Sequence, residues 1–385
     1  MIRFTIGLIK FLVAFCITPN KKDRIEREQI MLISEKGKDA RDNGYHLFLW
    51  IKQHHPECRT YYVISNDSPD RHRLDKYADS IIEYGSLRAC VFFWRAKYLV
   101  STHQRAGHTP IPFVLSRVLG RYFGIYKGKK VVFLQHGITK DFIPRMTYEN
   151  TNYDLFVCGA LPEWQYMTSV YGYPSAIAQY TGFCRYDNLL TNDARKRQIL
   201  VMPTWRKYLE HNFTEDSKYV SSYKGFLHNE QLQSLLDRYD YTLIFYLHHM
   251  AQPYIHLFRD NKLSKRITIA DAAHYDVQTL LKDSALLVTD YSSVYFDFAY
   301  MKKPIIFYQF DYDEYRAGHF NAGWLDYKNS FGATTTQESD LVAHVEYYLT
   351  HDMQMEPHYQ KFVDYCFPIR DSDNCQRVYD AIINC

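Results

Sequence analysis

A chain of 385 residues with 46 Lys and Arg against 43 Asp and Glu carries a net charge of only +3, which excludes a general polyanion binder and predicts no nucleic-acid partner. Its 46% hydrophobic and 17% aromatic content, with 35 Tyr, excludes a disordered chain and is ample for two globular domains. Eight cysteines at 16, 58, 90, 158, 184, 366, 375 and 385 form no C-x-x-C pair, which argues against a zinc site or a disulfide framework and predicts reduced thiols in a cytoplasmic protein.

Residues 2–18, IRFTIGLIKFLVAFCIT, are apolar but interrupted by Arg3 and Lys10, leaving an uncharged run far short of the ~20 residues a membrane span needs. The Pro19-Asn20-Lys21-Lys22 that follows is no small-residue cleavage site. Two readings remain. Residues 1–25 form an amphipathic segment lying on an anionic membrane surface, with Lys21, Lys22 and Arg24 beside the headgroups, or a helix packing on the protein's own core.

From Ile30-Met31-Leu32-Ile33 onward, short apolar runs alternate with helical segments, the first of them predicted at 45–54 after the turn signal Asp42-Asn43-Gly44. Further strands are predicted at Tyr61-Tyr62-Val63-Ile64, at 80–84, 98–102 and 130–134, at Leu155-Phe156-Val157 and at 178–180. Strands alternating with helices predict a parallel, doubly wound sheet. Residues 103–130 interrupt this rhythm with His103, Arg105, His108, Arg117, Arg121, Lys127, Lys129 and Lys130 among apolar residues. They read either as a basic amphipathic surface for anionic lipid or as a solvated helix face. The strand at 130–134 ends on Gln135-His136-Gly137, which points an imidazole toward the crevice where α/β proteins bind ligands; the alternative is a structural histidine.

The polar run at 191–198 is the best linker in the chain, and after it the pattern restarts. Ile199-Leu200-Val201-Met202 runs into Pro203-Thr204-Trp205-Arg206, a helix is predicted at 225–238, and the strand at 242–247 ends in His248-His249. A short strand at 267–269 and a helix at 277–281 lead to Leu286-Leu287-Val288, then Thr289-Asp290-Tyr291-Ser292-Ser293, a helical stretch containing Val294, Asp297, Phe298 and Met301, and a last strand, Ile305-Ile306-Phe307-Tyr308. Ser292, Ser293 and the first amides of that helix belong at a strand's carboxyl end, a place that suits an anion; Ser there also serves simply as a cap. Two doubly wound, Rossmann-like halves joined near residue 195 define the glycosyltransferase-B (GT-B) arrangement, an α/β fold with two domains facing across a cleft.

The string TDYSSVYFDFAYMKKPIIFYQFDYDEY at 289–315 is similar to the signature of the CDP-glycerol glycerophosphotransferase family, which builds teichoic acid and related capsular polymers. Matches in the family's order extend along nearly the whole chain: SEKGKDARDNGYHLF (34–48), LQHG (134–137), GFCRYDNLL (182–190), MPTWR (202–206) and NCQRVYDAI (374–382). The resemblance implies transfer of glycerol phosphate from CDP-glycerol to a hydroxyl of a lipid-linked or polymeric acceptor with release of CMP. It implies an acceptor-side domain at 26–194 and a CDP-alditol-binding domain at 195–360, and the fold class adds a carboxyl-terminal helix at 361–385 packed back across both.

Carried over residue by residue, the resemblance implies His136 as base and His248 as the second essential histidine. The family's Arg two positions before the latter is here Tyr246, and a one-residue slip would exchange His248 for His249. Because neighbouring side chains at an extended strand end point to opposite faces, only one of the two is expected in the site. Gly137, Thr204, Trp205, Arg206, Thr289, Asp290, Tyr291, Ser292, Ser293 and Asp297 are implied substrate-binding residues, with Arg206 a cation for the diphosphate; Asp290 and Asp297 read equally as helix-start acids. Arg185 and Asp187 match the family's R-x-D, or form a buried ion pair at the interdomain hinge. Asp311-Tyr312-Asp313 imitates a metal-binding D-x-D but is set aside, so no metal and no cofactor are expected and activity should survive EDTA. The expected setting is the inner face of the cell membrane, with a homo-oligomer compatible. The rival readings are a CDP-ribitol or other CDP-alditol transferase, a sugar-nucleotide glycosyltransferase or epimerase of similar fold, and a non-catalytic binding protein.

Overall fold

The computed structural model describes residues 2–18, 21–104, 107–190, 196–209, 213–317 and 322–385, so the predicted linker lies mostly outside the described residues, as does Arg105 of the basic stretch. The chain divides into two compact units. One comprises Met1–Ile138, Pro144–Asn188 and Asp371–Cys385, the other Thr139–Ile143 and Leu189–Arg370.

The first unit is built on seven strands: β1 (Met31–Ser34), β2 (Thr60–Ile64), β3 (Ile81–Glu83), β4 (Tyr98–Ser101), β5 (Lys130–Phe133), β6 (Leu155–Cys158) and β7 (Ala178–Tyr180). They pair in the order β3-β2-β1-β4-β5-β6-β7, every pair parallel. The strands are short apolar runs because both faces are covered, and Leu32, Ile33, Val63, Val100, Phe156 and their neighbours are buried. Strand order reverses between β1 and β4, so the loops leaving these two strands open the crevice in which such sheets bind ligands.

The second unit carries β8 (Gln198–Val201), β9 (Thr242–Tyr246), β10 (Ile267–Ala270), β11 (Leu286–Thr289), β12 (Ile305–Tyr308) and β13 (Ala333–Thr335), all parallel, in the order β10-β9-β8-β11-β12-β13. Its switch point lies between β8 and β11, so Pro203–Arg206 and Asp290–Ser293 leave adjacent strand ends. The helix predicted over 225–238 is two helices, Lys218–His228 and Glu230–Arg238, because Asn229 is extended (φ −62°, ψ 120°) and its side chain caps the second by accepting from Leu232 N.

The amino-terminal helix Ile2–Ile17 packs along one stripe on the protein's own core and leaves other apolar side chains exposed. Gly7, Phe11, Ala14 and Thr18 recur at helical spacing and are buried, whereas Ile6, Ile9, Leu12, Val13, Phe15 and Ile17 are exposed. The buried stripe packs on the helix Leu87–Arg95, where Trp94 Nε1 donates to Phe11 O (3.2 Å), and Gly7 lets Pro110 approach to 3.0 Å of where a Cβ would stand. No helix among the described residues is long and apolar enough to cross a membrane. The basic stretch proves not to be one continuous solvated face. Its helix spans only Phe113–Phe123, His108 is buried, and buried Lys129 donates to the carbonyls of Trp94 and Ala96 at 3.0 and 2.9 Å.

Candidate functional site

In the first unit the loops after β1, β4 and β5 converge on His136. Its Nδ1 lies 3.2 Å from Thr102 O, and because a carbonyl only accepts, Nδ1 carries the proton and Nε2 keeps its lone pair. His103 stacks on the ring, with centroids 4.4 Å apart and planes within 7°. Although the side chain has an exposed face, the net effect of its surroundings is to lower its pKa. Lost hydration is the largest cause and Lys36 and Arg185 add to it, while Asp42 and the Thr102 carbonyl oppose. His103 is pushed down to about 2 by burial and by its facing imidazole. At neutral pH both rings are therefore neutral.

The turn that presents His136 is strained. Gln135 sits at φ +59°, a left-handed conformation uncommon for a residue with a side chain. It is held there by its amide, which donates to Val157 O (2.7 Å) and Glu163 Oε1 (3.0 Å), and by Asn43, whose Nδ2 donates to Gln135 O at 2.8 Å. Asn43 Oδ1 in turn accepts from Arg185 N (3.2 Å). Asn43 opens the helix Asn43–His54 and Asp42 is its cap. The sequence reading took Asp42-Asn43-Gly44 as a turn and so missed Asn43, Thr102, His103 and Glu163 as supports; the acid three positions before the predicted helix was the available signal. Buried Glu35 fastens the same loop, accepting from the amides of Arg41 (3.0 Å) and Tyr45 (2.8 Å).

Arg185 and Asp187 each hold a different part of the first unit. Arg185 Nη1 reaches Asp42 Oδ1 (3.0 Å), while Asp187 accepts from Asn374 N, Asn374 Nδ2 and Cys375 N at 2.7–2.8 Å, capturing the start of the helix Asn374–Ile383. Gly182 (φ +77°) makes room for this knot, since a Cβ there would stand 1.8 Å from Asn374 Oδ1. Asp187→Ala should cost about 1–3 kcal/mol by leaving these donors unsatisfied, and hydrogen exchange should show it as lost protection confined to 374–383.

In the second unit the β8 and β11 loops are tied through Asp290. Thr204 donates to it from N (2.9 Å) and Oγ1 (2.6 Å), Tyr223 from its hydroxyl (3.2 Å) and Tyr291 from N, while Thr289 Oγ1 bonds Met202 O (2.7 Å). Arg206, expected to face the diphosphate, is instead entirely buried. It pairs with Asp290 (2.8 Å) and Asp311 (2.6 Å), and Tyr219, Tyr291, Phe310 and Tyr315 surround the guanidinium. Burial alone would raise the Asp311 carboxyl; Arg206 and Tyr208 outweigh it, and the net direction is downward. Asp290 and Asp311 are thus structural counter-ions of one arginine. Trp205 is packed against Phe213 (centroids 5.3 Å) and Tyr254 (6.2 Å). Asp297 is buried one turn into the short helix Val294–Tyr300.

Ser292 and Ser293 stand half-buried at the mouth of that loop, and Ser293 holds the cap position without a side-chain capping bond. His248 and His249 do not point to opposite faces. β9 stops at Tyr246, His248 (φ −50°, ψ 146°) caps a 3-10 turn over His249–Phe258, and the two ring centroids lie 4.1 Å apart. His248 Nδ1 accepts from Met250 N (3.3 Å), which leaves its neutral form with the proton on Nε2. No cluster of candidate metal ligands occurs among the described residues.

Two parallel, doubly wound sheets, each with a switch point in its strand order, define the GT-B fold class, and solved structures agree. The wall teichoic acid polymerase TagF superposes with a TM-score of 0.70 at 17% identity, covering 99% of this chain and 93% of that one. The chain belongs to the CDP-glycerol:poly(glycerophosphate) glycerophosphotransferase family, whose model matches residues 15–384. Among curated relatives it is 32% identical over 372 residues to the minor teichoic acid biosynthesis protein GgaB of Bacillus subtilis, covering 93% of this chain and 40% of that protein. It is 36% identical over 121 residues to the teichoic acid poly(glycerol phosphate) polymerase of Bacillus spizizenii, covering 31% of this chain and 28% of that protein. The chain thus spans well under half the length of these two relatives.

Proposed function

We propose that the chain transfers glycerol phosphate from CDP-glycerol to a hydroxyl of a lipid-linked or growing teichoic acid or capsular polymer, releasing CMP. The family match over residues 15–384 carries this reading, and the names of GgaB and the poly(glycerol phosphate) polymerase agree with it. The acceptor oxygen attacks the phosphorus that bears glycerol, its proton passes to His136 Nε2, and the bond to the CMP oxygen breaks. His136 suits this role because its tautomer and lowered pKa leave Nε2 as an acceptor at neutral pH. On the donor side, Ser292 and Ser293 hydrogen-bond the diphosphate and His248 donates from Nε2 to the departing phosphate. Thr204, Thr289, Asp290, Tyr291 and Arg206 hold the two loops in place. The exposed apolar face of the Ile2–Ile17 helix supports peripheral attachment to the cytoplasmic leaflet.

The test is donor turnover. Purified protein given lipid-linked acceptor should release CMP from CDP-glycerol at a kcat/KM at least about tenfold above that for CDP-ribitol, a difference of about 1.4 kcal/mol in the barrier. Faster turnover of CDP-ribitol would reassign the donor, and release of UDP from a sugar nucleotide would replace the reading.

A further inference from the structure

The first unit holds an apolar groove of about 970 Å³ between the amino-terminal helix and the segment at 119–129, at the upper end of the range for small-molecule sites. Leu8, Phe11, Leu12, Phe15, Trp94 and Leu119 line it, and among the described residues its charged lining is Lys127 and Lys129. Lys129 is buried and bonded to backbone carbonyls, whereas Lys127 is exposed at the rim. Exposed apolar side chains flank the groove on both sides, Ile9, Leu12 and Phe15 on one and Tyr122 and Phe123 on the other, the last 74% exposed. A groove of this kind beside exposed apolar faces is more than flat insertion requires.

We propose that the groove takes one hydrocarbon chain of an anionic membrane lipid, drawn out of the bilayer, with its headgroup phosphate at Lys127. This deepens the reading of peripheral membrane attachment and rests on it. The occupant follows from the chemistry. A largely apolar interior, whose buried Lys129 is satisfied by backbone carbonyls, selects a hydrocarbon chain, each buried methylene contributing about 0.8 kcal/mol, and a cationic rim with no acid among the described lining residues selects an anionic headgroup.

Vesicles of phosphatidylcholine with phosphatidylglycerol carrying a diazirine near the acyl terminus provide the test, read by flotation and by mass-spectrometric mapping of the crosslinks. The expected result is flotation, with labels on Leu8, Phe11, Trp94 and Leu119, and Leu119→Trp should lower those labels at least fivefold while flotation persists. Flotation with labels only on Ile6, Ile9 and Val13 would mean flat insertion, overturning the groove while sparing membrane attachment. Absence of flotation would overturn both. Groove labels lost on formation of a lipid-free dimer would give the groove to a second copy of the chain and likewise overturn the proposal.

Discussion

His136→Ala should lower CMP release from CDP-glycerol by about 10²–10⁴-fold while leaving the fold intact, since its removal deletes the proton acceptor and costs the structure only the stack on His103 and one bond to the Thr102 carbonyl at an exposed position. The loss should fall on kcat rather than KM, because the proton moves only as the acceptor oxygen attacks. The wild-type pH profile follows from the same ring. Protonated His136 cannot accept, and its pKa is lowered by lost hydration, so the acid limb of kcat should lie below the ~6.5 of an ordinary imidazole. His103→Ala opens the stacked face of the ring to water and, since lost hydration is the largest cause of the depression, should move that limb upward. A rate unchanged in His136→Ala would remove the base assignment and favour a binding protein or a different chemistry. Acidification should also destabilise the first unit. His103, His108 and His136 all have depressed pKa values, so the unfolded chain binds more protons below about 6.5 and stability falls as pH drops through that value.

Arg206→Ala should be the most destabilising single change in the second unit, by about 3–5 kcal/mol, because it abandons two buried carboxylates, Asp290 and Asp311, in a ring of aromatic side chains. Chemical denaturation would measure it, and activity should fall with folded fraction, since Asp290 also fastens Thr204 and Tyr291. Lys in place of Arg should recover little, having no planar fork for Asp311. Normal stability with a selectively raised KM for CDP-glycerol would instead put the guanidinium on the diphosphate, as the PTWR motif suggests from sequence alone.

These two residues mark how far the sequence can be read. Strands such as β11 and β12 are legible because a parallel strand covered on both faces must be an unbroken apolar run. β13, Ala333-Thr334-Thr335, offers no such run at the sheet's edge and is not predicted. The helix break at Asn229 hides because a capping residue inside a periodic stretch does not interrupt the apolar spacing. Motifs identify Arg206 and Asp290 as important without saying that they bind one another, since their pairing joins loops that only the sheet's strand order brings together. Asn43 likewise reads as a turn residue until β5 lies alongside to supply the carbonyls it holds.

Asp371–Cys385 rejoins the first unit after the whole of Leu189–Arg370 has been laid down elsewhere. During synthesis, Gly182 and Asp187 therefore emerge with their partner helix still unmade, and at roughly 5–20 residues per second the wait is on the order of ten to forty seconds. For that interval the nascent domain has an open apolar flank, which makes it the natural client for a chaperone. It also makes Asp371–Cys385, rather than any catalytic loop, the segment whose removal would most harm the yield of folded protein.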